Sequence, residues 1–147
     1  MERTLIIIKP DALVLGFVGK IVSMIENDGR VKITALKLVR LTKKDAREFY
    51  SVHRGKPFYK PLVKFMTSNP CFVMVGQGSN AVKSMRKLMG NTNPLLAEKG
   101  TIRKLYATDN RHNAIHGSDS VVNAEKEIKY FFKENELQRW KKRSYKI

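Results

Sequence analysis

Four consecutive apolar residues, Leu5-Ile6-Ile7-Ile8, run straight into Lys9-Pro10-Asp11. Side chains alternate between the two faces of a strand, so a run with no polar position leaves neither face for water. Three of the four residues are β-branched, which favours a strand over a helix turn. The run therefore predicts a buried central strand, and a sheet with helices laid over it follows.

The rest of the chain supplies those layers. Val18, Ile21, Val22 and Ile25 recur at helical spacing, and Asn27-Asp28-Gly29 stops them. Val31, Ile33 and Ala35 alternate, and the apolar trend then slips phase through Leu36, Leu38 and Val39, so a second strand with a bulge is expected. Thr42-x-x-Asp45 reads as a capping box for a helix to about Tyr50. A short helix follows over Leu62 to Met66. Cys71 to Val75 is a third strand, and Ser79-Asn80 is expected to cap a helix with Val82, Met85 and Met89 inward. Asn91 to Gly100 reads as loop. A short strand is expected over His112 to Ile115, and Asp119 or Ser120 caps a last helix carrying Val121, Ala124, Ile128 and Phe131. The alternation of strands and helices is that of an α/β sandwich.

Composition narrows the chemistry. The 147 residues suit one domain. A single cysteine, Cys71, excludes an internal disulfide and a Cys-based zinc site. The histidines at 53, 112 and 116 have no metal-site spacing. No signal or membrane segment is apparent, so a cytoplasmic protein with no membrane partner is expected. Lys and Arg number 29 against 13 Asp and Glu, a net charge of +16 and a pI near 10.1. Such an excess attracts polyanions: nucleic acid, acidic lipid or phosphorylated small molecules. Gly76-Gln77-Gly78 lacks the third glycine of a dinucleotide fingerprint, and no P-loop is present.

Four features carry candidate chemistry. His116 lies between an apolar pair and Gly117, just before a helix start. Lys9 leaves the first strand where a crevice would hold an anion. Arg86 and Arg103 can fork phosphate oxygens, with Thr92 adding a hydroxyl donor. Phe58, after Lys56-Pro57, offers a flat ring to a nucleobase. Taken singly, each residue type serves structure or solvation more often than catalysis.

Together they resemble one family. Asn113-x-Ile115-His116-Gly117-Ser118-Asp119-Ser120 is similar to the active-site segment of nucleoside diphosphate kinases. The similarity begins at Glu2-Arg3-Thr4-Leu5-Ile6-Ile7-Ile8-Lys9-Pro10-Asp11. It continues through Gly16-x-Val18-Gly19, Pro57-Phe58, Gly90-x-Thr92-Asn93-Pro94 and Gly100-Thr101-Ile102-Arg103. It covers roughly residues 2–133.

The resemblance implies a ferredoxin-like α/β sandwich, an antiparallel four-stranded sheet covered by helices. It implies an enzyme moving the γ-phosphate of a nucleoside triphosphate such as ATP to a diphosphate, by a ping-pong route through a phosphohistidine on His116. By the same resemblance, Lys9, Arg86, Thr92 and Arg103 hold phosphates, and Asn113 reaches the sugar and γ-phosphate. Phe58 stacks on the base and Leu62 lines its slot. Tyr50 lies close to the histidine, and Ser118 and Glu127 support the imidazole. Mg²⁺ is the implied cofactor, held mainly by the nucleotide phosphates with no protein metal site. A homo-oligomer, hexamer or tetramer, is also implied.

Three stretches depart from the family pattern. Lys56 stands where an Arg commonly precedes Pro-Phe, Lys104-Leu105-Tyr106 replaces Gly-Asp-Phe, and Lys99 replaces a Pro. None touches a matched catalytic position. The domain is expected over 1–133, with 134–147 a basic C-terminal extension of the same domain, beyond the part the resemblance covers. A rival reading, a basic nucleic-acid or lipid-binding module on the same fold, leaves His116, Glu127 and Asn113 without a purpose.

Overall fold

A computed structural model of the chain describes residues 1–140. Four strands, β1 (Glu2–Ile8), β2 (Lys32–Val39), β3 (Cys71–Gly78) and β4 (Ile115–Gly117), form one sheet in the order β2-β3-β1-β4. Every neighbouring pair is antiparallel. β1 is central, as its apolar run requires, and Leu5 to Ile8 are fully buried. The helices are α1 (Pro10–Val14), α2 (Val18–Asp28), α3 (Lys43–Phe49), α4 (Tyr59–Met66), α5 (Ala81–Met89), α6 (Ile102–Tyr106) and α7 (Val121–Phe131). This is the antiparallel, helix-covered α/β sandwich expected.

Alternation in the central strands splits the core in two. Leu5 and Ile7 join Val73 and Val75 under α3, α4 and α7, through Ala46, Leu62, Val63, Met66 and Ile128. Ile6 and Ile8 join Met74 under α2, α5 and α6, through Ile21, Ile25, Met85, Met89 and Ile102. The phase slip in β2 is a bulge: the register with β3 shifts between Ile33 and Ala35. It leaves Leu36 and Leu38 exposed on the sheet edge. Thr42 and Asp45 make the expected capping box, and Gly29 closes α2 at φ 70°.

Three local expectations are corrected. The strand placed at His112 to Ile115 begins only at Ile115, because residues 108–113 are folded into a turn. There Thr108 N donates to His112 O at 2.8 Å, and Asp109 takes the amides of Arg111 and His112 at 2.7 and 2.8 Å. Asn80 is the N-cap of α5, but its side chain makes no capping hydrogen bond. The short helix placed over Leu62 to Met66 starts earlier, at Tyr59. β1 ends at Ile8, just before Lys9-Pro10-Asp11, and Pro10 then starts α1, where its fixed φ suits the first helical position. Of the two cap candidates for α7, Ser120 is the N-cap and accepts from Asn123 N at 3.2 Å.

Beyond α7 the chain turns back onto the sheet. Leu137 is buried in the first core, and Gln138 N donates to Thr34 O of β2 at 2.9 Å. Among the described residues no helix is long and apolar enough to cross a membrane.

Candidate active site

β4 carries the site because of what flanks it. At Gly117 a side chain would strike Met89 Sδ of α5, so glycine lets that helix lie close over the strand. His116 is partly buried, with 21% of its side chain exposed. Its Nε2 lies 3.2 Å from Glu127 Oε1 on α7. A carboxylate only accepts, so the proton belongs on Nε2 and the lone pair on Nδ1. Glu127 is itself fixed: Ser118 Oγ donates to its Oε2 at 2.5 Å, and Leu5 N donates to Ser118 Oγ at 3.1 Å. The chain from the β1 backbone through Ser118 and Glu127 to the imidazole sets both the tautomer and the ring plane.

Aromatic rings close the other side. Phe49 meets His116 edge-on at 5.7 Å, and Tyr50 packs against Phe49 at 4.9 Å. Burial pushes the Tyr50 hydroxyl well above its usual range, with Cys71 and Glu127 adding to the rise. Tyr50 lies near-parallel to His53 at 6.4 Å, and His53 meets Phe58 at 5.1 Å. Phe58 keeps 43% of its surface exposed, while Leu62 beside it on α4 is buried.

Lys9, Arg103 and Arg86 form a group of neighbouring cations. Lys9 is only 7% exposed. Burial first, then the charge of Arg103, lowers its pKa to about 8, against a smaller rise from Asp11. Arg103 donates from Nη1 to Gly90 O at 3.0 Å and from Nη2 to Ile115 O at 2.9 Å. Burial and the charge of Arg86 bring it down to about 10. Three cations close enough to disfavour one another, two of them buried, are unfavourable unless an anion joins them. Thr92 lies exposed on the loop after Gly90, with no side-chain partner among the described residues.

The backbone before His116 is strained. Ala114 has φ 68°, a left-handed conformation that costs a non-glycine residue about 1–2 kcal/mol. Ile115 N donates back to Asn113 O at 2.8 Å, which makes the unit a γ-turn of the rare left-handed kind. Sequence reasoning had no signal for this turn.

Among the described residues four buried side-chain atoms lack a hydrogen-bond partner: Tyr50 Oη, Arg103 Nε, Asn113 Oδ1 and Asp11 Oδ1. Buried polar atoms are nearly always paired, so such atoms mark groups built for something else. Three belong to residues singled out from sequence. An open cleft of about 350 Å³, lined by Pro10, Asp11, Phe65 and His112 among others, includes Asp11 but not Tyr50, Arg103 or Asn113. Among the described residues no cluster of three or more His, Cys, Asp or Glu side chains is placed to hold a metal ion.

A histidine with one nitrogen anchored on a carboxylate, preceded by a carbonyl that buried Arg103 holds and with Arg86 and buried Lys9 grouped around that arginine, has the parts of a phosphotransferase site. The family model described as nucleoside diphosphate kinase matches residues 2–137. The chain is 50% identical over 144 residues to the nucleoside diphosphate kinase of Anaeromyxobacter dehalogenans (strain 2CP-C), covering 97% of each. The structure of the Aquifex aeolicus nucleoside diphosphate kinase superposes with a TM-score of 0.89 at 44% identity, over 92% of this chain and 98% of that one. The Halobacterium salinarum enzyme, solved in complex with CDP, superposes with a TM-score of 0.91 at 42% identity, over 96% and 93%. This chain belongs to the nucleoside diphosphate kinase family of phosphotransferases.

Proposed function

We propose that the protein exchanges γ-phosphate between nucleotides by a ping-pong mechanism, with His116 as the covalent carrier. The observation that carries this is the anchoring of Nε2 by Glu127, which leaves Nδ1 as the nucleophile. In the first half-reaction the Nδ1 lone pair forms a bond to the γ-phosphorus. The bond from that phosphorus to the β–γ bridging oxygen breaks, and the nucleoside diphosphate leaves with the electron pair. In the second, a β-phosphate oxygen of another diphosphate attacks the phosphohistidine, and the P–N bond returns its electrons to Nδ1. Glu127 and Ser118 hold the ring in line. Lys9, Arg86 and Arg103 neutralise charge that gathers on the bridging oxygen, and Thr92 adds a donor to the phosphates. Asn113 offers its unpaired Oδ1 as acceptor to a sugar hydroxyl, and the Nδ2 hydrogen not given to Asn110 O as donor to the γ-phosphate. Tyr50 backs Phe49, whose ring meets the histidine. Phe58 and Leu62 hold the base by stacking and packing alone, which suits broad base specificity. Mg²⁺ would be held mainly by the nucleotide's own phosphates, beside Lys9, Arg86 and Arg103, and would supply charge neutralisation there.

The protein is placed by this reading in the cytoplasm, with nucleoside di- and triphosphates as its partners. Exposed Val14, Leu15, Leu95, Leu96 and Leu105 favour a homo-oligomer, hexamer or tetramer, which light scattering resolves. The +16 charge suits nucleic acid on the outer surface as well, and salt-dependent binding of a duplex tests that. The decisive experiment for the chemistry is intact mass after incubation with ATP and Mg²⁺. An acid-labile phosphoryl adduct is expected on the wild type and none on His116→Ala. Exchange by that variant above about a thousandth of wild type overturns the covalent role.

A further inference from the structure

We propose that Asp11 is a positioning residue whose carboxylate clasps the strained γ-turn at Ala114 and so fixes the aim of Asn113 and His116. The inference rests on the reading of His116 as the carrier. Ala114 N donates to Asp11 Oδ2 at 3.0 Å, across 103 residues of chain. Its carbonyl accepts from Lys9 N at 2.9 Å. The next carbonyl, of Ile115, accepts from Arg103 Nη2 at 2.9 Å. Both polar groups of the left-handed residue are thus gripped by the exit of β1, and the following one by the phosphate-side arginine.

A left-handed alanine persists only where its surroundings over-determine it. Ala114 itself is held by Asp11 Oδ2 and Lys9 N, and its turn is closed by Ile115 N on Asn113 O; of these three bonds the last two are backbone to backbone. Asp11 supplies the one that a side-chain change can remove. The turn separates Asn113 from Ile115, and His116 follows at once, so relaxing Ala114 toward ordinary φ swings both side chains. An error of about 1 Å in a reacting group can cost on the order of 100-fold in rate. Asp11 does not itself touch His116. Its Oδ2 is committed to Ala114 N, and it acts through the backbone.

The test uses three full-length variants. Asp11→Ala is expected to lower kcat about 10- to 100-fold with KM changed little, and to speed hydrogen exchange of the Ala114 amide. Asp11→Asn keeps an oxygen for that amide and is expected to recover most of both. In Asp11→Ala, the added change Ala114→Gly removes the left-handed penalty and is expected to recover part of kcat. Should Asp11→Ala fail to fold, the other two variants carry the test. Wild-type kcat in a folded Asp11→Ala whose Ala114 amide exchanges fast overturns the proposal. So does a loss that appears only in thermal stability, or an Asn variant no better than Ala. Failure of the His116 reading shows separately, as exchange surviving in His116→Ala, because amide protection reports the clasp whatever the nucleophile.

Discussion

Lys9 is a cation held almost out of water beside Arg103, and its titration gives a signed prediction. Its pKa falls to about 8 in the folded protein, below the ordinary lysine value. Between the two values the unfolded chain binds the proton and the native protein does not, so the Lys9 contribution to stability rises with pH through that window. Activity runs the other way, because a phosphate site needs the charge. The profile of kcat/KM, which reports the free enzyme, is expected to fall on the basic side with an apparent pKa of about 8. Bound triphosphate favours the ammonium, so the limb in kcat moves higher. Lys9→Gln should lose the limb together with much of the rate, and a kcat/KM flat from about pH 7 to 9.5 excludes Lys9 from the site. Arg103 makes a different prediction. Its two backbone hydrogen bonds already hold the guanidinium, so Arg103→Ala removes a pre-placed charge rather than a flexible tether. Loss of about 2.7–4 kcal/mol of transition-state stabilisation is expected, seen in kcat rather than KM. A rise in KM alone reduces Arg103 to a binding residue.

The link from α5 to α6 shows how an element sets those residues. Gly90 ends α5 at φ 82°, and a side chain there would run into Thr101. Its carbonyl is the acceptor for Arg103 Nη1. Gly90→Ala therefore forces the loop away from α6 and takes the carbonyl from the arginine. A loss of about 1–3 kcal/mol in urea unfolding is expected, with a fall in kcat beyond the folded fraction lost. If kcat per folded molecule is unchanged, the loop does not position Arg103. Elements whose own residues set them were legible in the sequence: β1 from an unbroken apolar run, α3 from its capping box, and the presence of a bulge in β2 from the slip after Ala35, although the register shift itself lies just before Ala35. β4 was misplaced because its start is decided by Asp109 and Asp11, which tie down residues 109–114 through contacts outside any periodic pattern. α1 and α6 have five residues each, too short for a 3.6-residue repeat to show. The proposed site residues were named through resemblance to a family. The Asp11 clasp and the choice of Nδ1 come from hydrogen bonds between segments far apart in sequence.

At the scale of the whole molecule the open question is what the last residues do for it. From Lys133 to the end, six basic side chains stand against two acidic ones, with Trp140 and Tyr145 among them. Residues 141–147 lie outside the described part, and the stretch from 134 to 140 already shows a use. Leu137 fills the core under α7, and Gln138 N and Trp140 Nε1 donate to Thr34 O and Ile33 O, at 2.9 and 3.0 Å, on the open edge of β2. Arg3–Glu134 and Lys37–Glu136 add ion pairs at 3.2 and 3.0 Å, exposed enough for solvent and salt to screen them. None of these groups touches His116, Glu127 or the arginines among the described residues. Deleting 134–147 should therefore separate stability from chemistry. Loss of the buried Leu137 alone is expected to cost about 1.5–3 kcal/mol, and the uncovered edge beside exposed Leu36 and Leu38 invites strand pairing between molecules. The expected protein melts lower and associates more readily. Yet in a rapid-mixing experiment with ATP it gains the phosphoryl group on His116 at nearly the wild-type rate per folded molecule. Should the truncated chain stay folded and assembled as the full one does but fail to phosphorylate, the tail reaches the active site, and the division between a catalytic body and a stabilising strap is wrong.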